Sequence, residues 1–366
     1  MPRSTAARPP GRTLAQVYRR FGEVDAAGTL YERVAVALSE SAEARRAIEA
    51  APARKRHPAL ILAALHDLAL AGQAPALATA YAAGDGDAAA GAAIDTLRGS
   101  TEAVVARAGH RQLRSDETGR GAVLYPAIAE AGHRVGAKAV GLIEVGCGAG
   151  LNLSVDRVGL SYSNGQSLGD PESPVQLSAS IVGDRPLPTR PMPEVVARIG
   201  LDLDPVDVTD PAAARWLRAC LWPDRPDRPQ RIAKLEAEMA LSATASPLLR
   251  QGHPIDLLPD AFDLVPADTL PVVITTWALS RFSLEHRLRF LQRLDAAATD
   301  RPVAWVSVEG VGVAPAIPTM GDRPASGHSI LGLAVLQHAS LHTEAVGRCW
   351  SQGRTMAWLA DGDAQS

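Results

Sequence analysis

The chain has 366 residues, 46% of them hydrophobic, with a formal net charge of −3. That length holds about two domains with ample apolar material for their cores, and the slight negative balance removes the electrostatic drive that nucleic-acid and anionic-membrane binding need. Its three cysteines, Cys147, Cys220 and Cys349, are widely spaced and contain no Cys-x-x-Cys, so neither a disulfide framework nor a zinc site follows.

In chain order, residues 1–13 are polar, basic and proline-containing, with no apolar run behind them, and read as a disordered leader rather than a signal peptide. No uncharged apolar stretch reaches membrane-span length. A soluble, cytoplasmic protein is expected. Residues 14–138 carry helical spacing throughout: LAQVYRRFGEV, TLYERVAVALSESAEARRAIEAA, PALILAALHDLALAG, AAIDTLRGSTEAVVARAGH and GAVLYPAIAEAGHRVG. Gly, Pro and Asp separate these runs, and their alanine favours helix. An all-helical N-terminal domain is predicted. The arginines of YRRFGE and RAGHRQLR fall on these helices and read as solvated faces.

The pattern changes at Ala139. AVGLIEVG, VVARIGLDL (195–203), LPVVITTWAL (270–279) and PVAWVSVEGV (302–311) are short apolar runs of the kind that form buried parallel strands. The helical stretches DPAAARWLRACLW, RIAKLEAEMALS and LEHRLRFLQRLDAAA alternate with them, which predicts an α/β domain over 139–362 with a mostly parallel, right-handed sheet. ILGLAVLQ, TEAVGRCW and RTMAWLA are closely spaced and strand-like, so the sheet is expected to end in an antiparallel C-terminal hairpin. Residues 162–190, rich in Gly, Pro, Ser and Asp, interrupt the alternation as an inserted hairpin or loop.

The first strand ends in Glu144-Val145-Gly146-Cys147-Gly148-Ala149-Gly150. Alternate glycines before a helix permit positive φ and close backbone approach, with amides facing a ligand. No Lys-Ser/Thr follows Gly150, so this is not a phosphate-binding P-loop, and Leu151 stands where a dinucleotide fold wants its third glycine. A plain tight turn is the bland alternative. Cys147 has no identifiable base beside it and reads as a spacer.

The acidic-x-Gly-x-Gly-x-Gly pattern resembles motif I of class I S-adenosylmethionine-dependent methyltransferases. The resemblance implies a Rossmann-like sheet with S-adenosylmethionine as cofactor, held by Glu144, Gly146, Cys147, Gly148, Gly150 and Asn152. It also implies an acid on the ribose hydroxyls at the end of the second strand: Asp202 first, Asp204 second, with a solvated loop or helix cap as the alternative. A carboxylate suits a vicinal diol because it accepts from both hydroxyls. RQGHPIDLLPD (250–260) resembles the third strand, with Gly252-His253 where the family often carries Gly-Asp. There His253, or Ile255 and Asp256, would line the adenine edge. Thr276 and Trp277 end the fourth strand beside the cofactor. The whole chain also resembles an actinobacterial family of unknown function through GCGAGLNL, the GDP at 169–171, GLDLDPVDV and WLRACLWP.

Ligands of open parallel sheets bind at the carboxyl ends of the strands. Ser280 and Arg281 are therefore acceptor-binding candidates, with Glu309 and then His328 as the candidate catalytic base. Trp277 is otherwise core packing, Glu309 a turn cap and His328 a loop residue. Tyr162, Asn164 and Asp170 of the insertion are expected to face the pocket, with the insertion and helical domain covering it. ITTWALSRF lacks the Asn/Asp-Pro-Pro-Tyr/Phe box of DNA-amino methyltransferases, so the expected acceptor is a small molecule, neither nucleic acid nor membrane. No His/Asp/Glu cluster has metal-ligand spacing. The expected activity is methyl transfer to oxygen or nitrogen of a small metabolite; the alternative is a silent binder of S-adenosylmethionine or a nucleoside-like ligand.

Overall fold

The computed structural model describes residues 12–114, 118–337 and 340–360; most of the expected leader, residues 1–11, lies outside them. The chain packs as two units. One is formed by residues 12–114 with Pro211–Ala233, the other by residues 118–210 with 234–360.

The first unit is helical. Thr13 and Gln16 form a capping box that starts α1 (Leu14–Arg20), which runs into a π turn over Phe21–Asp25. The long run expected after Thr29 is two helices, α2 (Leu30–Glu40) and α3 (Ala42–Glu49). Ser41 divides them because its hydroxyl accepts from the amide of Ala44 at 3.1 Å, and capping restarts the helix in a new direction. α4 (Pro58–Leu70), α5 (Pro75–Ala83), α6 (Gly86–Gly99) and α7 (Thr101–His110) follow. α4 is buried on every side except its last residue, as its nearly unbroken apolar sequence requires. Its two polar side chains are both satisfied: His66 bonds the carbonyl of Ala219 at 3.0 Å, and Asp67 takes two arginines. No single helix among the described residues is long and apolar enough to cross a membrane.

The second unit is built on α8 (Gly121–Arg134) and one large sheet. Its strands are β1 (Ala139–Val145), β2 (Gly159–Tyr162), β3 (Ser167–Gly169), β4 (Gln176–Ile181), β5 (Glu194–Asp202), β6 (Leu248–Gln251), β7 (Leu270–Thr276), β8 (Val303–Gly310), β9 (Ser329–Gln337), β10 (Ser340–Trp350) and β11 (Thr355–Trp358). The order across the sheet is β3-β2-β4-β11-β10-β9-β8-β7-β1-β5-β6. The run β8-β7-β1-β5-β6 is parallel, while β9, β10 and β11 return antiparallel, in line with the sequence reading. Between units the chain passes through α9 (Pro211–Ala219), in the helical unit, and α10 (Arg228–Ala245); α11 (Pro254–Asp263) and α12 (Leu284–Ala297) belong to the sheet unit.

α8 shares one core with Leu142, Leu160, Leu177, Val306, Leu331 and Trp358, so both limbs of the sheet close on a single helix. Such wrapping requires strong twist and coiling of the sheet. The other face of β1, with Ile143 and Val145, packs under α11 and α12. This alternation along one strand is the period-2 arrangement of a sheet covered on both faces.

One expectation is corrected. The third strand is only Leu248–Gln251, and HPIDLLPD is the start of α11. Pro254 occupies the first helical turn, where a missing amide costs nothing, and Ile255, Leu258, Ala261 and Phe262 bury one helical face. The insertion at 162–190 contains a hairpin, as expected, formed by β2 and β3, and β4 joins it to the sheet beyond β11.

Candidate functional site

The register of the sheet gathers the carboxyl-end residues. Val145 of β1 lies level with Leu201 of β5 and Thr275 of β7, and Thr276 lies level with Val308. The next positions, Gly146, Asp202, Trp277 and Glu309, therefore share one edge. From β1 the chain goes to β5 and β6 on one side and returns to β7 and β8 on the other, so the switch point falls between β1 and β7. Crevices at such points hold the ligands of open α/β sheets.

Gly146, Gly148 and Gly150 have φ of 75°, 57° and 68°, a region L side chains rarely occupy. At Gly146 there is also no room: a Cβ would stand 2.9 Å from that of Ala278. The amides of Gly146 and Cys147 both bond the carbonyl of Leu201. Asp202 is buried and closes the loop from below, its Oδ2 accepting from Gly148 N at 3.0 Å and its Oδ1 from Asp204 N at 2.9 Å. Glu144 is buried beneath the same loop and accepts from Nδ2 of Asn152 at 2.5 Å. Cys147 is buried against Gly200, in keeping with a spacer. A pocket of about 490 Å³ adjoins Ala149 and is lined by Asp207, Thr209, Ser242, Ser246 and Gln251. Its size falls in the range of about 300–1,000 Å³ common for small-molecule sites.

The turn after β7 is the second part of the edge. Trp277 has φ of 51°, a costly conformation for a bulky residue. Three contacts hold it: its amide bonds Val308 O at 2.9 Å, its Nε1 donates to Ser329 Oγ at 2.8 Å, and the guanidinium carbon of Arg120 lies 5.0 Å from its ring centroid. Arg120 is itself buried and donates to Thr276 Oγ1 at 3.0 Å. Glu309 accepts from the amides of Ala278 at 2.9 Å and Leu279 at 3.0 Å through one oxygen. Its other oxygen has no hydrogen-bond partner among the described residues. Burial pushes this carboxyl up from 4.5 to about 7, although the amides and Arg287 oppose the shift. Of the roles open to Glu309 in sequence, the geometry realises the turn cap.

The remaining candidates scatter. Ser280 and Arg281 sit exposed on the short 3-10 turn that Glu309 caps. Asp204 is half-buried beside the loop, and Ile255 is fully buried in the core under α11. His253 stands at the N-cap position of α11 without a side-chain capping bond, its ring centroid 4.8 Å from that of His286 and 5.5 Å from that of Phe282. His328 is held by Asp322 at 2.9 Å, which also takes both Nε and an Nη of Arg348.

Tyr162 and Asn164 are set apart from the loop. β2 runs antiparallel to β1 once the strand directions are followed across the sheet, so its carboxyl end lies at the opposite edge. Tyr162 is buried there with its hydroxyl on Ala122 O at 2.8 Å, and Asn164 bonds Gln166 in an exposed turn. Asp170 follows β3 and caps the amide of Glu172 in the open. Sequence reasoning missed Arg120, Ser329 and Asp322. None carries a motif, and each reaches its partner through tertiary packing.

Fold and site together define an α/β protein whose large, mostly parallel sheet carries a glycine loop at its switch point, alongside a helical unit. Residues 15–358 match the family described as DUF2332, uncharacterized protein conserved in bacteria, and the chain belongs to that family. No curated protein and no solved structure matches the chain.

Proposed function

We propose that the sheet unit binds S-adenosylmethionine at the Gly146–Gly150 loop and aligns it for methyl transfer to oxygen or nitrogen of a small-molecule acceptor. The observation that carries this reading is the loop itself: three left-handed glycines at the carboxyl end of β1, at the switch point, tied to Asp202. A side chain at Gly146 would collide with Ala278, so glycine there lets the loop pack against the turn after β7. When bound, the cofactor supplies a methyl group made electrophilic by its sulfonium. The protein's part is then alignment, which contributes up to about 7–11 kcal/mol when reacting atoms are held near contact. Glu309 serves by fixing the turn that carries Trp277 and Ala278 against the loop.

One observation favours a second reading, a binder of S-adenosylmethionine or a nucleoside-like ligand without methyl transfer. Asp202 and Glu309, the carboxylates expected to meet cofactor and acceptor, both accept bonds from backbone amides. Isothermal titration of the full chain with S-adenosylmethionine, S-adenosylhomocysteine and NAD tests the shared premise. Saturable binding of the first two and not of NAD is expected; NAD binding alone overturns it.

A further inference from the structure

The arginines of RAGHRQLR read in sequence as a solvated face, and the helical unit puts several of them to another use. Asp67 on α4 is buried and accepts from Nε of Arg107 at 2.7 Å and from Nε of Arg215 at 2.9 Å, one guanidinium on each oxygen. Arg107 ends α7 and Arg215 lies on α9, so a single carboxylate gathers cations from two distant parts of the chain. A pocket of about 240 Å³ opens beside them, lined also by His110, Arg111 and Trp216.

Three guanidiniums face one carboxylate here, an excess of two positive charges before His110 is considered. Arg107 is fully occupied, with Nη1 on Ala103 O at 3.2 Å and Nη2 on Gln73 Oε1 at 2.6 Å. Arg215, in contrast, makes its ion pair through Nε, and among the described residues its two terminal nitrogens have no partner. The guanidinium of Arg111 forms no ion pair among the described residues either. Half-buried cations that share a single counter-charge are costly, and a planar guanidinium whose Nε is already fixed presents its outer edge in a set direction.

We propose that this pocket is an oxyanion site for a phosphate dianion, free or as a small phosphomonoester. The terminal nitrogens of Arg215 and the guanidinium of Arg111 bind the oxygens, His110 adds a donor, and Asp67 orients rather than binds. Two excess charges match a dianion, and guanidinium forks match the spacing of phosphate oxygens. The site does not rest on the cofactor reading of the sheet unit, since S-adenosylmethionine carries no phosphate.

The test is isothermal titration of the full chain with inorganic phosphate and with glycerol phosphate, ionic strength held constant with chloride. Arg111→Gln leaves both partners of Asp67 in place, and Arg215→Lys keeps the charge while removing the fork. Saturable binding by the wild type is expected, weakened about 10–100-fold by each variant, the usual loss for a charge-assisted bond. Tighter binding of glycerol phosphate assigns the site to phosphomonoesters, and equal binding to free phosphate. Absence of saturable binding at millimolar phosphate, or equal affinity in wild type and both variants, overturns the proposal.

Discussion

The amide of Gly148 donates to Oδ2 of Asp202 at 3.0 Å, so the acid that ends β5 and the middle of the glycine loop form one structural piece. Asp202→Ala removes this bond and the one to Asp204, leaving a buried and a half-buried amide without these acceptors. A loss of about 1.5–3 kcal/mol is expected, the range for hydrogen bonds to a charged group. It is read as a lower urea midpoint at unchanged slope. An unchanged midpoint would mean the loop holds its shape without the acid.

Glu309 makes stability depend on pH in a definite direction. Its carboxyl titrates near 7 in the folded chain against 4.5 ordinarily, so the folded state binds the proton more tightly. That contribution is present below about pH 4.5 and is lost as pH rises through 7, amounting to about 3 kcal/mol. Glu309→Gln stays neutral and keeps an acceptor for Ala278 and Leu279. Its melting temperature relative to wild type should rise from about pH 5 to about pH 8. A constant difference across that range would show that Glu309 titrates normally.

His66 works in the opposite sense. Burial lowers it from 6.5 to about 4, so it is neutral in the fold and protonates readily only when unfolded. Stability is complete above about pH 6.5 and declines by about 3 kcal/mol as pH falls to 4. His66→Gln should flatten this acid limb of the unfolding profile of the helical unit. An acid limb as steep in the variant would assign it to other groups.

Trp277 stores backbone strain against side-chain contacts. Trp277→Phe keeps the ring over Arg120 but loses the bond to Ser329. Destabilisation by about 0.5–1.5 kcal/mol is expected, checked by thermal unfolding. If Phe is tolerated without cost, the indole bond does not hold the turn.

Much of this fold was legible. AVGLIEVG, LPVVITT and PVAWVSVEG form strands buried except at their ends, and burial on both faces forces continuous apolar runs that stand out from helical spacing. Edge structure was harder. Leu248–Gln251 is a short, partly exposed strand with no such run, and β3 and β4 sit in polar, turn-rich sequence. α8 reads as a helix, but nothing local reveals that a sheet wraps it. At the site, Glu144, the glycines and Asp202 were visible because loop chemistry is local. Arg120 on Trp277 and Arg215 on Asp67 were not, because each pair is joined only by packing between distant segments.

The Gly146–Gly150 loop is proposed here as a cofactor site. Its most direct test compares S-adenosylmethionine and S-adenosylhomocysteine titrations of wild type and Gly148→Val, with melting curves confirming that both are folded. Gly148 has φ of 57°, which a β-branched residue avoids, so the variant distorts the loop locally. Saturable binding by wild type and its loss in the folded variant is the expected result. No binding by folded wild type, or equal binding by both proteins, would rule out the loop as the cofactor site.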